Sequence, residues 1–132
     1  MAAERPSPKS RQRGNVAIEY GLILPALLLF VLGLTDLGRL MWCYTTINRA
    51  VGAAARCAAI NTTACGTATQ IQNFAVAESW GLTIDASAFT VSTQTCGMRV
   101  SGNYDFTFIT PGFSYFVPLG TITLNGTACY PK

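Results

Sequence analysis

From Tyr20 to Thr35 the chain reads YGLILPALLLFVLGLT, without one charged residue. Wound as a helix this stretch is roughly 24 Å long. That is short of a hydrocarbon layer of about 30 Å, but within what mild bilayer thinning and snorkelling of Arg39 can accommodate. The whole chain, 50% apolar and 11% charged, is greasier than an ordinary soluble domain. One membrane crossing is therefore expected, and the rest of the molecule must be arranged around it.

The charges divide unevenly about this segment. Arg5, Lys9, Arg11 and Arg13 against Glu4 hold all of the net +3. From Asn15 onward Arg39, Arg49, Arg56, Arg99 and Lys132 balance Glu19, Asp36, Glu78, Asp85 and Asp105. Residues 1–14 (MAAERPSPKSRQRG) are polar, basic and without apolar period. They read as a disordered leader on the cytoplasmic side, which places the carboxyl end outside. A nucleic-acid partner is excluded, because no basic face remains beyond the leader to neutralise phosphates.

The helical pattern continues past the apolar run through DLGRLMWCYTTINRAVGAAARCAAI and predicts one helix over 15–60, roughly 69 Å long. Pro25 removes a backbone donor inside it and should kink or loosen it. Trp42 and Tyr44 suit an outer interfacial belt. Ala50, Ala53, Ala54, Cys57 and Ala58 recur at spacings of three and four, a small-residue stripe on which an extracytoplasmic domain, residues 61–132, can dock.

After a turn at 61–66, TATQIQNFAVAESWG predicts a short amphipathic helix ended by Gly81. The period then becomes two. Phe89, Val91 and Thr93 form one strand pattern, while Met98, Val100, Tyr104, Phe106 and Phe108 alternate with polar residues in a second. After ITPGFSYFVPLG, the run TITLNGTACY places Ile122, Leu124, Ala128 and Tyr130 on one parity. The fold class is thus α+β: a long transmembrane helix, a short helix and a three-stranded antiparallel sheet packed on the long one.

Five cysteines without a CxxC pair, in a chain with no histidine, point to extracytoplasmic disulfides rather than metal or redox chemistry. Pairing the second and third strands across the 109–119 loop makes residue numbers sum to about 228, bringing Cys129 opposite Arg99 and near Cys96. Cys96 with Cys129 is the pairing this register favours. Cys57 with Cys65 is the natural second pair, leaving Cys43 near the membrane; other connectivities stay open. So small an extracytoplasmic part buries little surface and gains from such links.

The stretch RGNVAIEYGLILPALLLFVLGLTDLGRLMWCYTTINRAVGAAARCAA resembles the TadE-like family. The resemblance rests on a basic leader ending in Gly14, then Glu19 and Tyr20, LILP around Pro25, the DLGR element from Asp36 to Arg39, Trp42, and an alanine-rich segment between Asn48 and Arg56. It implies a pilin-like pseudopilin of a tight-adherence (Flp) type IV pilus, serving cell adhesion. It also implies bacterial inner-membrane residence with a periplasmic carboxyl-terminal domain, and leaves open a priming or tip place in the extracellular pilus, a length-control role and a membrane-resident assembly role. The expected partners are membrane lipid, a prepilin peptidase, other pilin and pseudopilin subunits and the pilus assembly machinery.

Gly14-Asn15-Val16-Ala17-Ile18-Glu19-Tyr20 is similar to a prepilin cleavage site, and the resemblance implies cutting after Gly14. Glu19 is costly near lipid without a cation, and the resemblance implies that a neighbouring subunit's freed amino group supplies it. The plainer alternative is an interfacial acid facing headgroup water. Pro25 is either a tolerated membrane proline or a weak point that bends during assembly. Asp36 and Arg39, three apart, read as a local surface ion pair.

Phe113, Tyr115 and Phe116 read as filling beneath a long loop, with an adhesive or subunit-contact patch as the alternative. Asn61 and Asn125 lie in N-x-[ST] sequons, a weak signal in a bacterial chain. No catalytic residue, cofactor or metal ligand is indicated, since Asp85 and Asp105 lack the spacing of paired carboxylates. The main rival is an unprocessed single-pass protein whose periplasmic domain binds a partner. A secreted protein with an ordinary signal peptide is disfavoured by the uninterrupted helix.

Overall fold

The computed structural model describes residues 8–112, 115 and 120–132. Helix α1 spans Pro8–Ile60, about 80 Å at the ideal rise. It starts seven residues before Asn15, so helical backbone extends through the second half of the basic leader, where disorder was expected. Pro8 suits the first helical position, where its missing N–H is not needed. Lys9, Arg11, Gln12 and Arg13 are good helix formers.

Helix α1 stops where Asn61 turns the chain. The Asn61 N–H donates to the Cys57 carbonyl at 2.8 Å, and the Asn61 side-chain oxygen accepts from the Ala64 N–H at 3.0 Å. Helix α2, Ala68–Glu78, begins with a capping box: Thr67 Oγ1 accepts from the Gln70 N–H, and Gln70 Oε1 accepts from the Thr67 N–H. Two orphan donors are satisfied reciprocally. It ends three residues before Gly81, where the Ser79 backbone leaves the helix with its N–H on the Val76 carbonyl and its hydroxyl donating to the Ala75 carbonyl at 2.7 Å.

Strands β1 (Phe89–Gln94), β2 (Gly97–Thr107) and β3 (Thr121–Tyr130) form an antiparallel sheet in the order β1-β2-β3. Arg99 faces Cys129 and Met98 faces Tyr130, the register that the summed numbering predicts. The fold is α+β, as the change of period indicates.

The core lies between α1 and the sheet. Ile47, Ala50, Val51, Ala54, Ala55 and Ala58 of α1 are buried, with Ile71 and Ala75 of α2 and Phe89 and Val100 of the sheet. This face is wider than the alanine stripe read from sequence: Ala53 and Cys57 are only half-buried, while Ile47 and Val51 sit at its centre. Two strand glycines explain the close approach. Gly102 and Gly126 are register partners. A Cβ on Gly102 would lie 2.6 Å from the Phe89 ring and 3.1 Å from Val51, and one on Gly126 would lie 3.4 Å from Ile47 and Val51. Together they form a notch that seats Val51, a use of glycine where backbone must come near another element.

Candidate functional site

Between Val16 and Leu32 helix α1 is a bare rod. Every described side chain from Val16 to Leu32 is exposed, and the helix contains a window of mean hydropathy 2.2, long and apolar enough to cross a membrane. Gly14, Asn15, Glu19 and Tyr20 all lie within its helical backbone. Glu19 and Tyr20 are exposed, and among the described residues Glu19 forms no ion pair.

Pro25 interrupts the ladder without ending the helix. Its missing N–H leaves the Gly21 carbonyl without its usual donor four residues on. A Cβ at Gly21 would meet nothing within 4 Å, so this turn is unsupported by side-chain packing within the chain.

Immediately beyond the apolar run, Asp36 is only 1% exposed and is the hub of a long-range clasp. It accepts the Ile109 N–H at 3.1 Å, the Thr110 N–H at 2.8 Å and the Thr110 hydroxyl at 2.6 Å. Arg39 Nη1 donates to it at 3.0 Å while the guanidinium stacks 5.1 Å over the Phe106 ring, which is itself edge-on to Phe108 at 5.1 Å. Burial opposes ionisation, but the hydrogen bonds from Thr110, Ile109 and Arg39 outweigh it and hold this carboxyl below its usual range.

The i,i+3 ion pair expected at Asp36 and Arg39 is thus present, but it is one part of a larger arrangement. The sequence reading missed Ile109 and Thr110. A signal was available: an acid at the edge of an apolar run must find donors, and a local cation supplies only some of them.

Two disulfides brace the remainder. Cys57 joins Cys65 at the end of α1, and Cys96 in the β1–β2 turn joins Cys129 of β3. Cys43 is a free thiol, 7% exposed. Burial pushes its pKa up, and the nearby Arg39 charge opposes this only in part. Because the thiolate is the reactive form, Cys43 in the folded full chain in detergent should react with a maleimide at neutral pH at least about tenfold more slowly than after denaturation. Equal rates would show that the thiol is accessible.

Of the aromatic loop residues, Tyr115 is 95% exposed and does not fill space beneath the loop. Phe113 and Phe116 lie outside the described residues. Asn61 is exposed with its side-chain oxygen holding the turn, and Asn125 is an exposed β3 position facing Asn103.

The rod, the clasp at its end and the alanine-rich docking face lie on one helix, and that helix is the part with a counterpart among known families. Residues 14–56 match the family model described as TadE-like protein. The TadE-like segment begins at Gly14, includes Glu19, Pro25, Asp36 and Arg39, and ends within the docking face, covering roughly a third of the chain. It points to a protein associated with the Tad pilus. No curated protein and no solved structure matches the chain.

Proposed function

We propose that the chain is a structural pseudopilin of a tight-adherence pilus rather than an enzyme. Residues 20–35 hold it in the inner membrane, and its sheet domain faces the periplasm. A prepilin peptidase cuts after Gly14, and the subunit then joins other pilin and pseudopilin subunits through the assembly machinery.

The observation that carries this reading is Glu19, exposed on an apolar rod five residues past Gly14 and without an ion partner among the described residues. A carboxylate so placed at a membrane needs a cation from elsewhere. Cutting after Gly14 creates one, the amino group of Asn15, on each subunit. Contact with a neighbour's new terminus then becomes favourable only after processing. The unsupported turn at Gly21 and Pro25 gives the rod a place to bend as the subunit leaves the bilayer.

The test is the amino-terminal residue of protein recovered from membranes of cells with and without their prepilin peptidase, read by intact mass. A start at Asn15 that depends on the peptidase is expected, and Glu19→Ala should then be cut normally but incorporated poorly into filaments. An unprocessed start in both strains would replace this reading with that of a single-pass membrane protein whose periplasmic domain binds a partner.

A further inference from the structure

We infer that Ile109 and Thr110, with Tyr115 beyond them, form a second membrane contact at headgroup depth, where Asp36 holds the first two. This rests on the membrane-spanning reading of residues 20–35 and not on cleavage after Gly14. Asp36 immediately follows that span. Any group bonded directly to its carboxylate shares its depth, and both the Ile109 and Thr110 N–H groups are within 3.2 Å of it.

Trp42, exposed on α1 and suited to the outer interfacial belt, lies about 9 Å further along the helix. Ile109 and Thr110 therefore sit between the aromatic belt and the hydrocarbon. The surface they carry suits that place. Ile109 is 65% exposed and Tyr115 95% exposed, and no residue between Asp105 and Lys132 carries a charge. Entry into the headgroup region then desolvates no ion, buries apolar area and leaves the Tyr115 hydroxyl in the polar layer, as interfacial aromatic side chains do.

The clasp fixes Ile109 and Thr110 against α1. With a helix through the bilayer and Ile109 and Thr110 clasped beside its end, the sheet domain has two adjacent membrane contacts.

The test uses the full chain in vesicles of phosphatidylethanolamine and phosphatidylglycerol, with and without dibrominated phosphatidylcholine. In a Trp42→Phe, Trp80→Phe background, Tyr115→Trp and Ile109→Trp each supply a single indole at an exposed position. Leu28→Trp reports the span. Each indole at 109 and 115 should lose about half or more of its emission to brominated lipid, at every protein-to-lipid ratio.

A quenched Leu28→Trp beside indoles at 109 and 115 that only aqueous acrylamide quenches would overturn the loop contact alone. Protection of those indoles that grows with protein density and ignores brominated lipid would also overturn it, in favour of a second copy of the chain. An unquenched Leu28→Trp would overturn the spanning reading, and the loop contact with it.

Discussion

Asp36→Ala should free the segment after β2 from α1 and lower the stability of the sheet domain by about 3 kcal/mol, the scale of losing several hydrogen bonds to one charged acceptor. The residue is buried and accepts from two backbone N–H groups, a hydroxyl and a guanidinium. Removing it strands the Ile109 and Thr110 donors that it now accepts. Arg39, whose side chain is 44% exposed, can turn to water, so the ion pair itself is a small part of the loss. The Thr110 donors cannot turn so easily.

Asp36→Asn should be nearly as harmful. Its oxygen can keep one set of donors, but its NH2 group must then face another. Hydrogen exchange on the full chain in micelles reads this directly: the Ile109 and Thr110 amides should exchange on the order of 100-fold faster in either variant. Unchanged protection would mean that the clasp does not hold the segment.

The same carboxylate links stability to pH. Its folded pKa is depressed, so its contribution is fully present above the unfolded value and is lost as pH falls through the lower folded one. Acid below about pH 4 should loosen these amides in the wild type, and a chain carrying Asp36→Asn should lack that acid dependence.

Much of this fold is legible because its signals are local or periodic. The change from period 3.6 to period two separates the helices from the strands, and the parities of β2 and β3 fix their inward faces. If β2 and β3 pair as a hairpin centred on their connection, the numbering brings Cys129 opposite Arg99, and the structure has that register. Other features depend on partners that no window contains. Asp36 and Arg39 look complete at a spacing of three, yet the decisive donors lie 73 and 74 residues away. The Gly102 and Gly126 notch is invisible until β2 and β3 are paired, because each glycine alone reads as a weak point in a strand. The end of α2 falls before Gly81 because the backbone already turns at Ser79, whose N–H bonds the Val76 carbonyl, a local choice the glycine signal does not reveal. Glu19 shows the opposite case: its offset from Gly14 is plain in sequence, while its lack of an ion partner among the described residues needed the structure.

The two disulfides should not contribute equally, although both close within the same small domain. In the chain-entropy account, the Cys96–Cys129 link, with a sequence separation of 33, should stabilise by about 4 kcal/mol and the Cys57–Cys65 link, with a separation of 8, by about 2.5 kcal/mol. Local structure widens the difference. The short loop is already held by the Asn61 N–H on the Cys57 carbonyl, the Cys65 N–H on the Asn61 carbonyl and the Ala64 N–H on the Asn61 side chain. Its conformation therefore survives loss of the bond. The long loop is laddered as β2 and β3, but its open end is an edge, where the last residues of β3 are pinned to the β1–β2 turn by Cys129. There Gly97 lies so close that an added Cβ would meet the Tyr130 and Pro131 backbone. Without the bond that end of β3 should fray, exposing Val100, the partner of Ala128. Urea unfolding of the full chain in micelles, comparing Cys96→Ser/Cys129→Ser with Cys57→Ser/Cys65→Ser, should give the lower midpoint for the first pair. The reverse order would mean that the end of α1, not the edge of the sheet, is where this domain starts to open.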